Sequence, residues 1–113
     1  MNYKEERPWG SFENLLDEDG YKVKKIIVNP SQRLSLQLHQ KRSEFWHILS
    51  GSGYMQVGGE QYEIGAGDTV QIPVLQVHRV FSNNSHPLVI LELQTGVCDE
   101  DDIIRIEDDY DRI

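Results

Sequence analysis

Ser35-Leu36-Gln37-Leu38-His39-Gln40-Lys41-Arg42-Ser43-Glu44-Phe45-Trp46 (SLQLHQKRSEFW) alternates in character over its first half, then sets two cations and a carboxylate within a few positions. On an extended chain successive side chains point to opposite faces. A strand over 33–39 therefore places Leu34, Leu36 and Leu38 on one face and Ser35, Gln37 and His39 on the other. Taken alone, that is the pattern of any half-buried surface strand. The next segment changes the reading, because Glu44, Trp46 and Ile48 share a face and only four residues separate His39 from Glu44. A tight reversal there brings Gln37, His39 and Glu44 toward one point.

The same short-strand pattern runs through the chain. Helical periodicity is not sustained anywhere, whereas β-branched or alternating runs recur between Gly, Pro, Asn and Asp clusters. Strands are predicted near 11–16, 21–29, 33–39, 44–50, 53–57, 61–64, 69–72, 77–82 and 87–95. Turns are predicted at Asp17-Glu18-Asp19-Gly20, Asn29-Pro30-Ser31, Gly51-Ser52-Gly53, Gly58-Gly59, Gly65-Ala66-Gly67-Asp68 and Asn83-Asn84-Ser85. This predicts an all-β sandwich or barrel, and 113 residues suit one domain with a core of its own.

The net charge is −8, but residues 98–113 hold eight acids and two bases, so most of the acidity sits in that segment. Its Ile103-Ile104-Arg105-Ile106 centre predicts a short element that docks on the barrel or on a second subunit. Nucleic acid is excluded as a partner, since its phosphates would need a broad basic face. Cations in or beside the predicted strands, among them Lys24, Arg42 and Arg79, suit a small anion instead. The charged opening MNYKEERPWG is unlike a secretory signal, and the longest apolar run falls short of a membrane span. A soluble, cytoplasmic protein without membrane contact is expected. The single cysteine, Cys98, reads as an incidental free thiol.

A second segment, Gly67-Asp68-Thr69-Val70-Gln71-Ile72-Pro73-Val74-Leu75-Gln76-Val77-His78, places a histidine after a strand and a proline turn. Two imidazoles, a carboxylate and an amide oxygen make a reasonable set for a borderline divalent metal, so the expected ligands are Gln37, His39, Glu44 and His78. In spacing, Gln37-x-His39-x4-Glu44-x6-Gly51 resembles the first cupin motif, and Gly67-x5-Pro73-x4-His78 resembles the second. Ser31 and Leu75 stand where those motifs carry glycine, and Gln37 stands where many cupins carry histidine.

Further residues narrow the resemblance. Arg7-Pro8-Trp9-Gly10, Tyr21-Lys22-Val23-Lys24, Val77-His78-Arg79, Glu92, Gln94-Thr95-Gly96 and Glu100-Asp101-Asp102-Ile103 are similar to the cupin domain of type II phosphomannose isomerases over nearly the whole chain. The resemblance implies a single cupin domain, residues 1–113, in the double-stranded β-helix or jelly-roll form. It implies one divalent ion, Zn²⁺ first, with Mn²⁺, Fe²⁺, Co²⁺ or Ni²⁺ as alternatives. The implied reaction interconverts mannose 6-phosphate and fructose 6-phosphate. Guanylyltransferase activity is not implied, because the chain has no glycine-rich nucleotide loop. Lys41 and Glu92 are the candidate proton-transfer groups, with Arg42 beside them. Arg42 and Arg79 are the favoured phosphate contacts, with Arg7 and Lys24 behind them. Trp9 and Trp46 are expected in the core. Gln40, Lys41 and Phe45 replace histidines common in that family, so a non-catalytic sugar-phosphate-binding cupin is the alternative, as is an isomerase or epimerase for another sugar or nucleotide sugar. Exposed edge strands in so short a chain suggest a homodimer.

Overall fold

The computed structural model describes residues 3–83 and 85–112. The described residues form eleven strands and no helix: β1 Tyr3–Arg7, β2 Gly10–Glu18, β3 Tyr21–Val28, β4 Leu36–Leu38, β5 Arg42–Ser50, β6 Ser52–Val57, β7 Glu60–Gly65, β8 Thr69–Ile72, β9 His78–Ser82, β10 Leu88–Gly96 and β11 Ile104–Glu107. They make a six-stranded sheet in the order β1-β2-β3-β10-β5-β8 and a five-stranded sheet in the order β11-β4-β9-β6-β7. No helix among the described residues is long and apolar enough to cross a membrane.

β3, β5 and β10 bury alternate residues, and the inward set changes character along each strand. In β3 the inward residues run Lys22, Lys24, Ile26, Val28, and in β10 they run Leu88, Ile90, Glu92, Gln94. In β5 they run Arg42, Glu44, Trp46, Ile48. The antiparallel registers align like with like: Ile26, Ile90 and Ile48 lie in one row, Lys24, Glu92 and Trp46 in the next, and Lys22, Gln94 and Glu44 in the third. One end of the space between the sheets is consequently a dry core, to which Met55, Ile64, Val80 and Leu88 also contribute. A fully buried aliphatic side chain of this kind contributes about 1.5–3 kcal/mol. The other end holds buried polar groups.

The turns follow their residues. Asp19-Gly20 closes β2 onto β3 with Gly20 at φ +89°, and Gly58-Gly59 closes β6 onto β7 with Gly58 at φ +58°. Ser31 and Leu75 adopt left-handed φ of +65° and +70°. The two positions where the motifs carry glycine thus keep glycine-like backbone without it.

The strands depart from the predicted ones in two places. The predicted strand 33–39 is a three-residue strand, because the chain enters it from the left-handed Ser31 and buries both Leu34 and Ser35. Arg33 contributes only an isolated bridge to Phe81. Residues 3–7, where no strand was predicted, form an edge strand on β2, and the pairing of Lys4 with Glu13 makes a charged sequence compatible with a sheet. The acidic segment does dock: β11 pairs with β4, Arg33 makes a two-point ion pair with Asp109 at 2.7 Å, and Tyr110 packs against the core.

Candidate metal centre

His39 follows β4, Glu44 lies on β5 and His78 opens β9, so residues from both sheets meet at the polar end of the barrel. One ligand atom from each lies within 4.8 Å of the others, and all three side chains are buried. His39 Nε2 is 3.1 Å from Glu44 Oε2, and His78 Nε2 is 3.9 Å from Glu44 Oε1. Gln37 pairs in register with His78, which points both side chains to the same face, and it lines the same cavity.

The hydrogen bonds fix which ring nitrogen carries the proton. His39 Nδ1 lies 2.7 Å from the Asp102 carbonyl and His78 Nδ1 lies 2.8 Å from the Gln76 carbonyl. A carbonyl only accepts, so both Nδ1 atoms donate and both Nε2 atoms present lone pairs. Arg42 Nη2, which only donates, stands 3.4 Å from His39 Nε2 and agrees with that assignment. His78 Nε2 is buried and has no hydrogen-bond partner. Burial lowers the pKa of both rings, outweighing the opposite pull of Glu44, and keeps them neutral. For Glu44, burial pushes the pKa up, but the charges around it bring it below its ordinary value; with both rings neutral, the Arg42 guanidinium at 3.0 Å is the group left to hold the carboxyl ionised.

Two neutral nitrogen lone pairs therefore face one carboxylate in a buried site, an arrangement in which the facing atoms of all three side chains are acceptors. A cation among them removes that conflict. The donor set, two imidazoles and a carboxylate with an amide oxygen beside them, fits a divalent ion such as zinc. Glu44 is held for the purpose by Arg42 Nε at 3.0 Å and by Trp46 Nε1 at 3.0 Å on its other oxygen.

Other expected residues are placed unevenly. Glu92 is buried in the cavity wall, where burial and then the charge of Glu44 raise its carboxyl to about 7. Gln94 Nε2 donates to it at 2.6 Å. Arg42, Lys24 and Arg7 also line the cavity. Arg42 is committed to Glu44 and to the Asp99 carbonyl at 3.0 Å, and Lys24 to Glu100. Lys41 is exposed and does not line the cavity; the turn from β4 to β5 spends it on backbone bonds to Asp102 and Val97. Arg79 is buried outside the cavity, since it alternates away from His78, and it binds the Leu34 carbonyl and Glu107. Trp9 and Trp46 belong to the core, as expected, and also form cavity wall.

The residues missed by sequence reasoning lie in the acidic segment. The Asp102 carbonyl orients His39, and the Asp102 carboxylate accepts the backbone N–H groups of Gln40 and Lys41 at 2.9 Å. Arg105 and Arg112 line the cavity as well. Net charge concealed them, because two bases among eight acids give no signal of a cationic wall.

A family model described as mannose-6-phosphate isomerase C-terminal matches residues 1–108. This chain belongs to that family. Among curated relatives, mannose-1-phosphate guanylyltransferase ManC of Salmonella typhimurium is 33% identical over 108 residues, which is 95% of this chain and 22% of the relative. The chain thus spans about a fifth of the length of the curated relatives it matches. Among solved structures, the capsular polysaccharide assembling protein CapF of Staphylococcus aureus superposes with a TM-score of 0.80 at 19% identity, covering 95% of this chain and 34% of that one. The Schizosaccharomyces pombe Cnp3 cupin domain gives a TM-score of 0.73 at 9% identity over 76% of this chain and 64% of that one. The fold of this mannose-6-phosphate isomerase C-terminal family member is accordingly that of a cupin.

Proposed function

We propose that the chain is a metal-dependent aldose–ketose isomerase that interconverts mannose 6-phosphate and fructose 6-phosphate. The observation that carries this reading is the pairing, inside one cavity, of a buried donor set for a divalent ion with a separate buried carboxyl, Glu92, raised to about 7. His39, Glu44, His78 and Gln37 would hold the ion. When bound, a divalent ion supplies Lewis-acid stabilisation of the negative charge that develops on the sugar oxygens during enolisation.

The protein's own groups provide the rest. Moving a proton between C1 and C2 requires one group that removes it and returns it to the neighbouring carbon. Glu92 is suited to both steps, since a carboxyl titrating near 7 is populated in both forms at neutral pH. The Gln94 amide fixes its orientation, and Lys24 lies beside it in the β3–β10 register. Arg42 acts through Glu44 and is a positioning residue. Lys41, exposed beyond the cavity, has no part in proton transfer in this scheme.

The test is turnover. Protein stripped with chelator and reloaded in turn with Zn²⁺, Mn²⁺, Fe²⁺, Co²⁺ or Ni²⁺ is expected to interconvert the two hexose phosphates with at least one metal. Absence of turnover with all five would overturn the isomerase reading. Calorimetric binding of mannose 6-phosphate without turnover would leave a sugar-phosphate-binding cupin in its place.

A further inference from the structure

The cavity holds more cations than the metal centre and Glu92 explain, and most are already neutralised by neighbours. Arg42 is bound to Glu44, Lys24 to Glu100, Arg7 to Glu5 at 2.9 Å, and Arg112 to both oxygens of Asp108 at 2.6 and 2.9 Å. Arg105 differs. Its Nε is buried and no group among the described residues hydrogen-bonds to it. Leaving a buried charged donor unsatisfied is costly, which makes it the place where an incoming acceptor gains most.

Its position is set by the backbone. Arg105 on β11 pairs with Gln37 on β4, and Gln37 pairs with His78 on β9, so the three side chains form one row across the sheet. The β11–β4 register shifts immediately after Arg105, an irregularity of the kind that re-aims a side chain. Two strand spacings, about 10 Å of backbone, separate Arg105 from His78. That is the scale of a six-carbon sugar phosphate with its carbonyl end at the metal centre. Arg7 and Arg112 share the cavity, and burial together with the charges of Arg112 and Arg7 lowers the Arg105 pKa despite Asp108. A cluster of like charges so close is stabilised by an anion.

We propose that Arg105, flanked by Arg7 and Arg112, is the subsite for the substrate's phosphate, and that the acidic C-terminal segment thereby delivers the cation that recognises an anionic ligand. The identity of that ligand as a hexose 6-phosphate rests on the isomerase reading; the phosphate subsite itself does not.

The experiment uses the full chain and four probes: inorganic phosphate, mannose 6-phosphate, mannose and GDP-mannose. Calorimetry of the wild type is expected to show binding of mannose 6-phosphate, competition by inorganic phosphate, and much weaker binding of mannose. Arg105→Ala should weaken mannose 6-phosphate and phosphate by about ten- to a hundred-fold, the worth of a charge-assisted hydrogen bond, while its metal content stays at wild-type level. Arg105→Lys, which keeps the charge but not the fork of donors, should fall between them. Should the alanine variant fail to fold, the lysine variant alone decides. Wild-type protein that binds no phosphate, or Arg105 variants that bind it undiminished, would overturn the subsite. Phosphate binding that depends on Arg105 with no isomerisation under any metal would retain the subsite and sink the isomerase reading alone. Stronger binding of GDP-mannose than of mannose 6-phosphate would overturn the monophosphate assignment.

Discussion

At the scale of single residues, two acids in one cavity are set apart by their surroundings. Glu44 is held ionised beside Arg42; for Glu92, burial and the charge of Glu44 outweigh the opposite pull of Lys24, Gln94 and Arg42, and it rises to about 7. Glu92→Gln is therefore expected to lower kcat by about 10²–10⁴-fold while the metal remains bound, as measured by turnover and metal analysis on the same sample. A parallel loss of metal would mean that Glu92 is structural. The same residue predicts a pH effect. A carboxyl whose folded pKa lies above its unfolded value keeps its proton longer when folded, so its contribution to stability falls as pH rises from about 4.5 to about 7. In metal-free protein, the stability of Glu92→Gln relative to wild type should rise across that window by about 3 kcal/mol. Denaturant titrations at pH 5 and pH 8 check this, and parallel curves for the two proteins would contradict it.

At the scale of elements, the β3, β5 and β10 patterns were legible because alternation is regular there and turn residues bound them. Sequence spacing also indicated which residues meet, since His39, Glu44 and His78 do converge and Gln37 lines the same cavity. Phosphate recognition was not legible in the same way. Arg79 is adjacent to a ligand in sequence, and adjacency on a strand sends the next side chain to the opposite face. Lys41 was misplaced for a related reason: it belongs to the turn that Asp102 ties down from outside. The left-handed turn residues give an element-scale prediction. A non-glycine residue at left-handed φ bears about 1–2 kcal/mol of strain, and Leu75 at +70° is 60% exposed, so little packing opposes its removal. Leu75→Gly is expected to be neutral or stabilising by up to about 1 kcal/mol. Leu93→Gly, in the middle of β10 and 38% exposed, should instead destabilise by about 1 kcal/mol. Thermal melts of the two variants distinguish the cases, and equal destabilisation would remove the strain argument.

At the scale of the whole molecule, the interior is partitioned along the strands. The row of Ile26, Ile90 and Ile48 gives way to the row of Lys24, Glu92 and Trp46, then to Lys22, Gln94 and Glu44. Composition could not reveal this, because an average over the chain mixes a dry end with a charged one. Nor could charge counting reveal that the acidic segment completes the site: Asp99 and Asp102 carbonyls hold Arg42 and His39, Glu100 holds Lys24, and β11 brings Arg105. The proposed activity depends on Gln37, His39, Glu44 and His78 serving one ion. Zinc titration of chelator-treated protein by calorimetry tests that most directly. One ion per chain is predicted for the wild type, with affinity reduced roughly a hundred-fold or more in both His39→Ala and His78→Ala, each shown to be folded by circular dichroism. Undiminished stoichiometric binding in either folded variant would contradict it.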